Sequence, residues 1–180
     1  ISIFRPLVKW AFQIVDARQI PTVLSEAIAR ATTGTPGPVL VDFARDVLSE
    51  GSVETQLLRV RCPLARKVAP DPQALEDAVA WLEKAERPVI WAGNGVRCAR
   101  AADELIHLAE RLQAPVITTH NGIGVIPTNH PLCFGPRSRF GTRLADMVLA
   151  EADLVLVVGN SLNGVSTSRW TVRLPDRIIQ

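Results

Sequence analysis

The chain predicts an α/β fold, a parallel sheet flanked by helices in a Rossmann-like domain, preceded by a fragment of another α/β domain. Three observations predict it. Val89-Ile90-Trp91-Ala92, Pro115-Val116-Ile117-Thr118 and Leu154 to Val158 are continuously apolar, as strands covered on both faces are. Amphipathic helical stripes separate these runs, which is the alternation that builds parallel sheets. Each run also ends in small or polar residues, where βα loops carry ligand sites in such sheets.

In order along the chain, Trp10 to Val15 predicts a short strand. Ile20, Val23, Leu24, Ala27, Ile28 and Ala31 recur at helical spacing, with Pro21 in the first turn. The turn cluster Thr33-Gly34-Thr35-Pro36-Gly37-Pro38 then leads into the β-rich run Val39 to Phe43. From Ser49 to Pro70 periodicity disappears, and Pro63 and Pro70 punctuate a polar stretch that reads as a linker over 50–70. Asp71-Pro72 is an N-cap followed by proline at the first helical position, and Leu75, Ala78, Val79 and Leu82 form one apolar face behind it. Ala101, Leu105, Leu108, Ala109 and Leu112 stripe the helix after the first buried strand, and Leu144, Met147 and Val148 stripe the one before the third.

Composition narrows the function classes. The 180 residues are 47% hydrophobic and 21% charged, with 20 Lys and Arg against 18 Asp and Glu and no basic run, so no nucleic-acid partner is expected. No apolar stretch is long enough for a membrane helix, and no membrane partner is expected. Cys62, Cys98 and Cys133 are odd in number, far apart and outside any CxxC, which predicts neither a disulfide framework nor a zinc site and makes a cytoplasmic setting the expectation. The chain opens at Ile1 without an initiator Met and stops at Ile178-Ile179-Gln180, which reads as a strand just beginning; both ends are expected to be cut edges of a longer protein.

Three loops follow equivalent strand ends: Gly93-Asn94-Gly95, Thr119 to Gly124, and Gly159 to Gly164. Glycine lets the backbone approach an anion closely, so together the loops predict a nucleotide-like crevice. Cys98 stands where a dinucleotide fingerprint has its third glycine, which argues against an ordinary NAD site. Cys98, expected at the head of a helix, is open to two readings, a thiol activated by the helix dipole or a small packing residue. His107 predicts a solvated face, and His120 and His130 have no cysteine or carboxylate at metal spacing. Arg137, Arg139 and Arg143 read equally as phosphate contacts or as an exposed basic loop. No GxSxG, HExxH or GxxxxGK[ST] motif occurs, and no catalytic or metal-ligating residue is predicted.

A resemblance then emerges. Thr33 to Asp42, Arg87-Pro88-Val89-Ile90-Trp91-Ala92-Gly93-Asn94-Gly95-Val96, Ala114 to Thr119, Asn121 to Pro127, His130-Pro131-Leu132 and Ala152 to Gly159 are similar in order and spacing to thiamine diphosphate-dependent enzymes of the acetolactate synthase, 2-oxoacid decarboxylase and 2-hydroxyacyl-CoA lyase superfamily. The resemblance implies that residues 1–49 are the end of a pyrimidine-binding domain and 71–180 most of a central nucleotide-binding-like domain. It implies a lyase or transferase acting on a 2-oxo acid or related carbonyl compound, with thiamine diphosphate and Mg²⁺ held outside this chain and a homodimer or homotetramer as the assembly. It implies a nucleotide cofactor, FAD or ADP/CoA, at Gly93, Asn94 and Gly95; Thr119, Asn121 and Gly122; Gly141 and Thr142; and Gly159, Ser161 and Asn163. The third loop departs from acetolactate synthases, which continue Gly-x-Arg-Phe-Asp-Asp-Arg where this chain has Gly159-Asn160-Ser161-Leu162-Asn163-Gly164-Val165. The charged side chains that would hold FAD are missing there, and Leu162-Asn163 is closer to hydroxyacyl-CoA lyases. An empty site kept as scaffold, and a free-standing non-catalytic nucleotide-binding or regulatory module, remain the alternatives.

Overall fold

A computed structural model describes residues 1–49, 68–138 and 141–180, and the chain divides into two compact units, Ile1–Ala69 and Pro70–Gln180. The linker expected over 50–70 falls, for residues 50–67, outside the described residues, as do Cys62 and Arg139.

The first unit is built on two parallel strands, β1 (Trp10–Ile14) and β2 (Val39–Phe43), in register from Trp10 opposite Val39 to Ile14 opposite Phe43. A parallel pair needs a crossover, and α1 (Ile20–Thr32) supplies it. Pro21 fits the first turn of α1 because the N–H it lacks has no intrahelical partner there. Val23 and Ala27, one turn apart, are the buried residues of α1, and Val23 closes a small core with Ile14 and Val47. Val47 lies on α2 (Arg45–Ser49), a single turn too short for periodicity to reveal. A shorter 3-10 turn at Ala17–Gln19 leads into α1, with the Asp16 carboxylate accepting from the Arg18 N–H at 2.9 Å.

In the second unit, α3 (Pro72–Lys84) starts as the sequence predicts: the Asp71 carboxylate accepts from the Ala74 N–H at 3.1 Å. Its apolar face is not buried among the described residues, however, and Leu75 is 52% exposed. There follow β3 (Pro88–Ala92), α4 (Asn94–Ala99), α5 (Ala102–Leu112), β4 (Val116–Thr118), β5 (Cys133–Pro136), α6 (Arg143–Glu151), β6 (Leu154–Val158) and β7 (Arg177–Ile179). The sheet is parallel throughout, in the order β5-β4-β3-β6-β7. All five residues of the central strand β3 are buried, each large apolar side chain contributing roughly 1.5–3 kcal/mol by leaving water. One core layer joins Ile90, Val116, Leu105 and Ala109; the other joins Trp91, Ile117, Val155, Ala145 and Leu149. The sheet thus carries apolar side chains on both faces, which is why its strands read as unbroken apolar runs.

Two expectations need correcting. The sequence places α6 well but not its buried face: Ala145 and Leu149 are buried, while Leu144 and Met147 are about half exposed. Ala145 and Leu149 pack into the core beneath the helix with Val148 partly buried against it, and Leu144 and Met147 fall outside that face. Cys98 is the fifth residue of the six-residue α4 rather than at a helix head, and it is exposed, so neither the dipole reading nor the packing reading describes it. The apolar pair Ile178-Ile179 does form a strand, the edge strand β7 beside β6.

Candidate functional site

The strand order decides where a cleft can open. Leaving β3, the chain adds β4 and then β5 on one side and returns to place β6 and β7 on the other. Loops leaving β3 and β6 therefore diverge in opposite directions, and the gap between them is where ligands bind in sheets of this kind.

The ends of the three strands are tied to one another. The Gly93 N–H donates to the Val158 carbonyl at 2.8 Å and the Thr119 N–H to the Ala92 carbonyl at 2.9 Å. Beyond them lies a cleft of about 390 Å³, within the range of small-molecule sites. Of the residues singled out in the sequence, Asn94, Thr119, Asn121, Gly159, Ser161 and Asn163 line it. Gly93, Gly95 and Gly122 are absent from its lining, and their missing side chains leave room for neighbouring backbone. A Cβ on Gly93 would lie 2.2 Å from the Gly159 carbonyl oxygen, and one on Gly122 would lie 2.7 Å from the Ala92 carbonyl oxygen. The glycines let the loops interlock, and the interlocked loops form the floor. Gly141 and Thr142 are apart from the lining. Thr142 caps α6, accepting from the Ala145 N–H at 3.2 Å, and Gly141 closes the turn before it with an N–H donated to the Ser138 carbonyl at 2.9 Å.

Sequence reasoning missed Ser138, Asn160 and Ser166, which also line the cleft. Asn160 follows a glycine already singled out and was within reach. Ser166 arrives because Asn163 turns the chain: its Oδ1 accepts from the N–H groups of Val165 and Ser166 at 3.1 and 3.0 Å. That is an Asx turn. The buried Asn160 uses Oδ1 in the same way, toward the Leu162 N–H at 3.0 Å, while its Nδ2 has no hydrogen-bond partner.

Charge is nearly absent. No Lys, Arg, Asp or Glu lines the cleft among the described residues, and His120 is its one ionisable side chain there. Arg137 departs from both readings offered by the sequence: it is neither an exposed basic residue nor aimed at the cleft, but 7% exposed and bonded to Asp146, Ser166 and Ser168. His107 is exposed, as expected. His130, which the sequence gives no cysteine or carboxylate at metal spacing, has Glu110 of α5 3.3 Å from its Nε2, and its Nδ1 accepts from the Leu132 N–H. A residue twenty positions upstream is brought there by the α5–β4 crossover. Even so, no group of three or more His, Cys, Asp and Glu that could hold a metal ion gathers among the described residues. The described residues therefore do not fit Mg²⁺ or a metal-held diphosphate, and no step through thiamine diphosphate follows from them. The cleft is lined instead by neutral hydroxyl and amide groups, and one buried amide nitrogen, Asn160 Nδ2, lacks a partner. No helix among the described residues is long and apolar enough to cross a membrane.

A parallel sheet in this order, with a neutral polar cleft at its point of reversal, defines a Rossmann-like class of α/β domain. Residues 75–180 match the family described as thiamine pyrophosphate enzyme, central domain, and the chain belongs to that family. It is 34% identical over 164 residues to a probable acetolactate synthase large subunit of Methanocaldococcus jannaschii, covering 88% of this chain and 28% of that protein. It is 35% identical over 170 residues to a sulfoacetaldehyde acetyltransferase of Rhodobacter capsulatus, covering 93% of this chain and 28% of that protein. It is 34% identical over 176 residues to an acetolactate synthase large subunit of Corynebacterium glutamicum, covering 97% of this chain and 28% of that protein. The chain thus spans little more than a quarter of the length of these relatives.

Proposed function

We propose that the chain comprises the end of a pyrimidine-binding domain (1–49), a linker (50–70) and the central domain (71–180) of a thiamine diphosphate-dependent lyase or transferase. Its substrate would be a 2-oxo acid or related carbonyl compound. The names of the relatives support this reading, since acetolactate synthase and sulfoacetaldehyde acetyltransferase both handle small carbonyl compounds. The protein would work in the cytoplasm, which its three dispersed cysteines suit, as a homodimer or homotetramer.

Within that protein the cleft takes the ADP portion of an accessory nucleotide, CoA or FAD. One observation carries this: the cleft sits at the reversal of strand order and is lined by neutral hydrogen-bonding groups. Thr119, Ser138 and Ser161 have hydroxyls suited to ribose and phosphate oxygens, and the Asn160 amide offers a donor with no other partner. Thiamine diphosphate supplies an electron sink for carbanion chemistry when bound; the residues of this chain bind and orient the second nucleotide. The third loop lacks the Arg-Phe-Asp-Asp-Arg continuation that the resemblance associates with holding FAD, and this places ADP or CoA ahead of FAD.

Calorimetric titration of the full-length protein with ADP, CoA and FAD tests the cleft. Saturable binding of one nucleotide per chain is expected. Absence of heat with all three overturns the nucleotide reading, and absence of thiamine diphosphate-dependent turnover of any 2-oxo acid overturns the enzyme reading. A second reading, a scaffold that binds nothing, is favoured by one observation: the Oδ1 atoms of both Asn160 and Asn163 are taken up by N–H groups of their own loop.

A further inference from the structure

We propose that Arg137 is a positioning residue that holds one wall of the cleft in shape from behind. That wall is the segment following β6, from which Ser161, Asn163, Val165 and Ser166 line the cleft. It is an improbable piece of backbone. Leu162, Ser168, Arg169 and Trp170 all adopt left-handed conformations, with φ of 48°, 51°, 61° and 60°. None is glycine, and L-residues with a Cβ pay steric energy in this region, so the segment cannot keep its path by local preference alone. Hydrogen bonds inside the segment, such as those from the Val165 and Ser166 N–H groups to Asn163 Oδ1, share the task of holding it with partners outside it.

Arg137 is placed to do so. Its side chain is 9% exposed, and its Nη1 donates to the Ser166 carbonyl at 2.6 Å and to the Ser168 hydroxyl at 3.2 Å. Its Nε donates to Asp146 Oδ1 on α6 at 3.0 Å. The Cζ lies 5.8 Å from the ring centroid of Trp91, which is fully buried in the central strand. One guanidinium therefore links the wall to α6, to the end of β5 and to the middle of the sheet. A buried cation is costly unless paired and hydrogen-bonded, and these partners meet that need. Planarity matters too: a guanidinium stacks flat over an indole while its five donors keep a rigid fork geometry, whereas a lysine ammonium is a compact point charge on a flexible stem. Arg137 thus acts on a ligand through Ser161, Asn163 and Ser166 rather than by contact.

The affinity part of this proposal rests on the nucleotide reading of the cleft; the positioning part does not. The test uses the full-length protein and Arg137→Lys and Arg137→Gln variants, with hydrogen–deuterium exchange read by peptide and ADP affinity read by calorimetry. Both variants are expected to raise exchange about tenfold or more in 159–172, with β3 and β4 changing less than about twofold, because only the wall loses its support. The ADP dissociation constant is expected to rise about tenfold in both, lysine giving no rescue. Unchanged exchange in 159–172, or an equal rise throughout the protein, overturns the proposal. Weakened ADP binding with unchanged exchange also overturns it, by making Arg137 a direct contact. If the wild type binds no ADP, the nucleotide reading fails and exchange alone decides the positioning role. Should neither Arg137 variant fold, Asp146→Ala and Ser168→Ala each remove one of its partners. A rise of about two- to threefold confined to 159–172 then supports the role and no local rise refutes it.

Discussion

Gly95 and Gly159 are packed backbone to backbone beneath the cleft: the Gly95 N–H donates to the Gly159 carbonyl at 2.9 Å, and a Cβ on Gly95 would lie 2.6 Å from the Gly159 Cα. The contact joins the first turn of α4 to the loop after β6 at the point where strand order reverses. Gly159 has φ of +60°, and a Cβ there would lie 2.5 Å from the Val96 nitrogen, so Gly159→Ala meets both a backbone and a packing obstacle. A loss of about 2–4 kcal/mol is expected, measured as a fall in the thermal transition of the full-length protein. Gly34→Ala is the control. Its φ is +66° with nothing within 4 Å of the added Cβ, so only the backbone cost of about 1–2 kcal/mol is expected.

Asp153 clasps the start of β3 from the turn before β6. Its two carboxylate oxygens accept from the Glu86 and Arg87 N–H groups at 2.8 and 2.9 Å. Partial burial pushes this carboxyl up, but the backbone N–H donors together outweigh it and hold it below its ordinary value. A lowered folded-state value stabilises the protein above the unfolded carboxyl range, and that stabilisation fades as pH falls through the folded value. Asp153→Asn is therefore expected to cost about 1–2 kcal/mol at pH 7. The gap to wild type should narrow below about pH 4, as melting curves across pH would show.

Two histidines should behave differently. His130 accepts from the Leu132 N–H and contacts Glu110, whereas His107 is solvated on α5. His130→Ala is expected to cost about 1 kcal/mol and His107→Ala less than about 0.5 kcal/mol, by thermal unfolding.

Much of the second unit was legible because its chemistry is local. A strand covered on both faces must be apolar throughout, so β3, β4 and β6 could be placed from residues 89–92, 115–118 and 154–158 alone. The edge strand β5 was not legible: Cys133-Phe134-Gly135-Pro136 carries a glycine and a proline, which strands tolerate only at an edge, and being an edge is a property of the assembled sheet. The short α4 was hidden by glycines that read as loop. Site residues that lie at strand ends, such as Asn94 and Thr119, were readable from strand positions. Ser166 and Arg137 were not, because their places depend on partners on other elements: Arg137 bonds to a carbonyl 29 residues away. The tight backbone packing of Gly93, Gly95, Gly122 and Gly159 was not legible, because each one's neighbours belong to other segments.

Ser161, exposed at the cleft, offers a test of ligand charge. Among the described residues the lining carries no carboxylate, so Ser161→Asp places the first one beside the expected diphosphate. ADP affinity should fall about tenfold or more by calorimetry, with adenosine affected much less.

The central claim, that the cleft between the β3, β4 and β6 loops takes the ADP part of a nucleotide, is tested most directly by photo-crosslinking the full-length protein with 8-azido-ADP and mapping the labelled peptides. Labelling within 119–124 or 159–166, suppressed by excess ADP, is predicted. Label confined to other segments, or label in these loops that excess ADP does not displace, would contradict it.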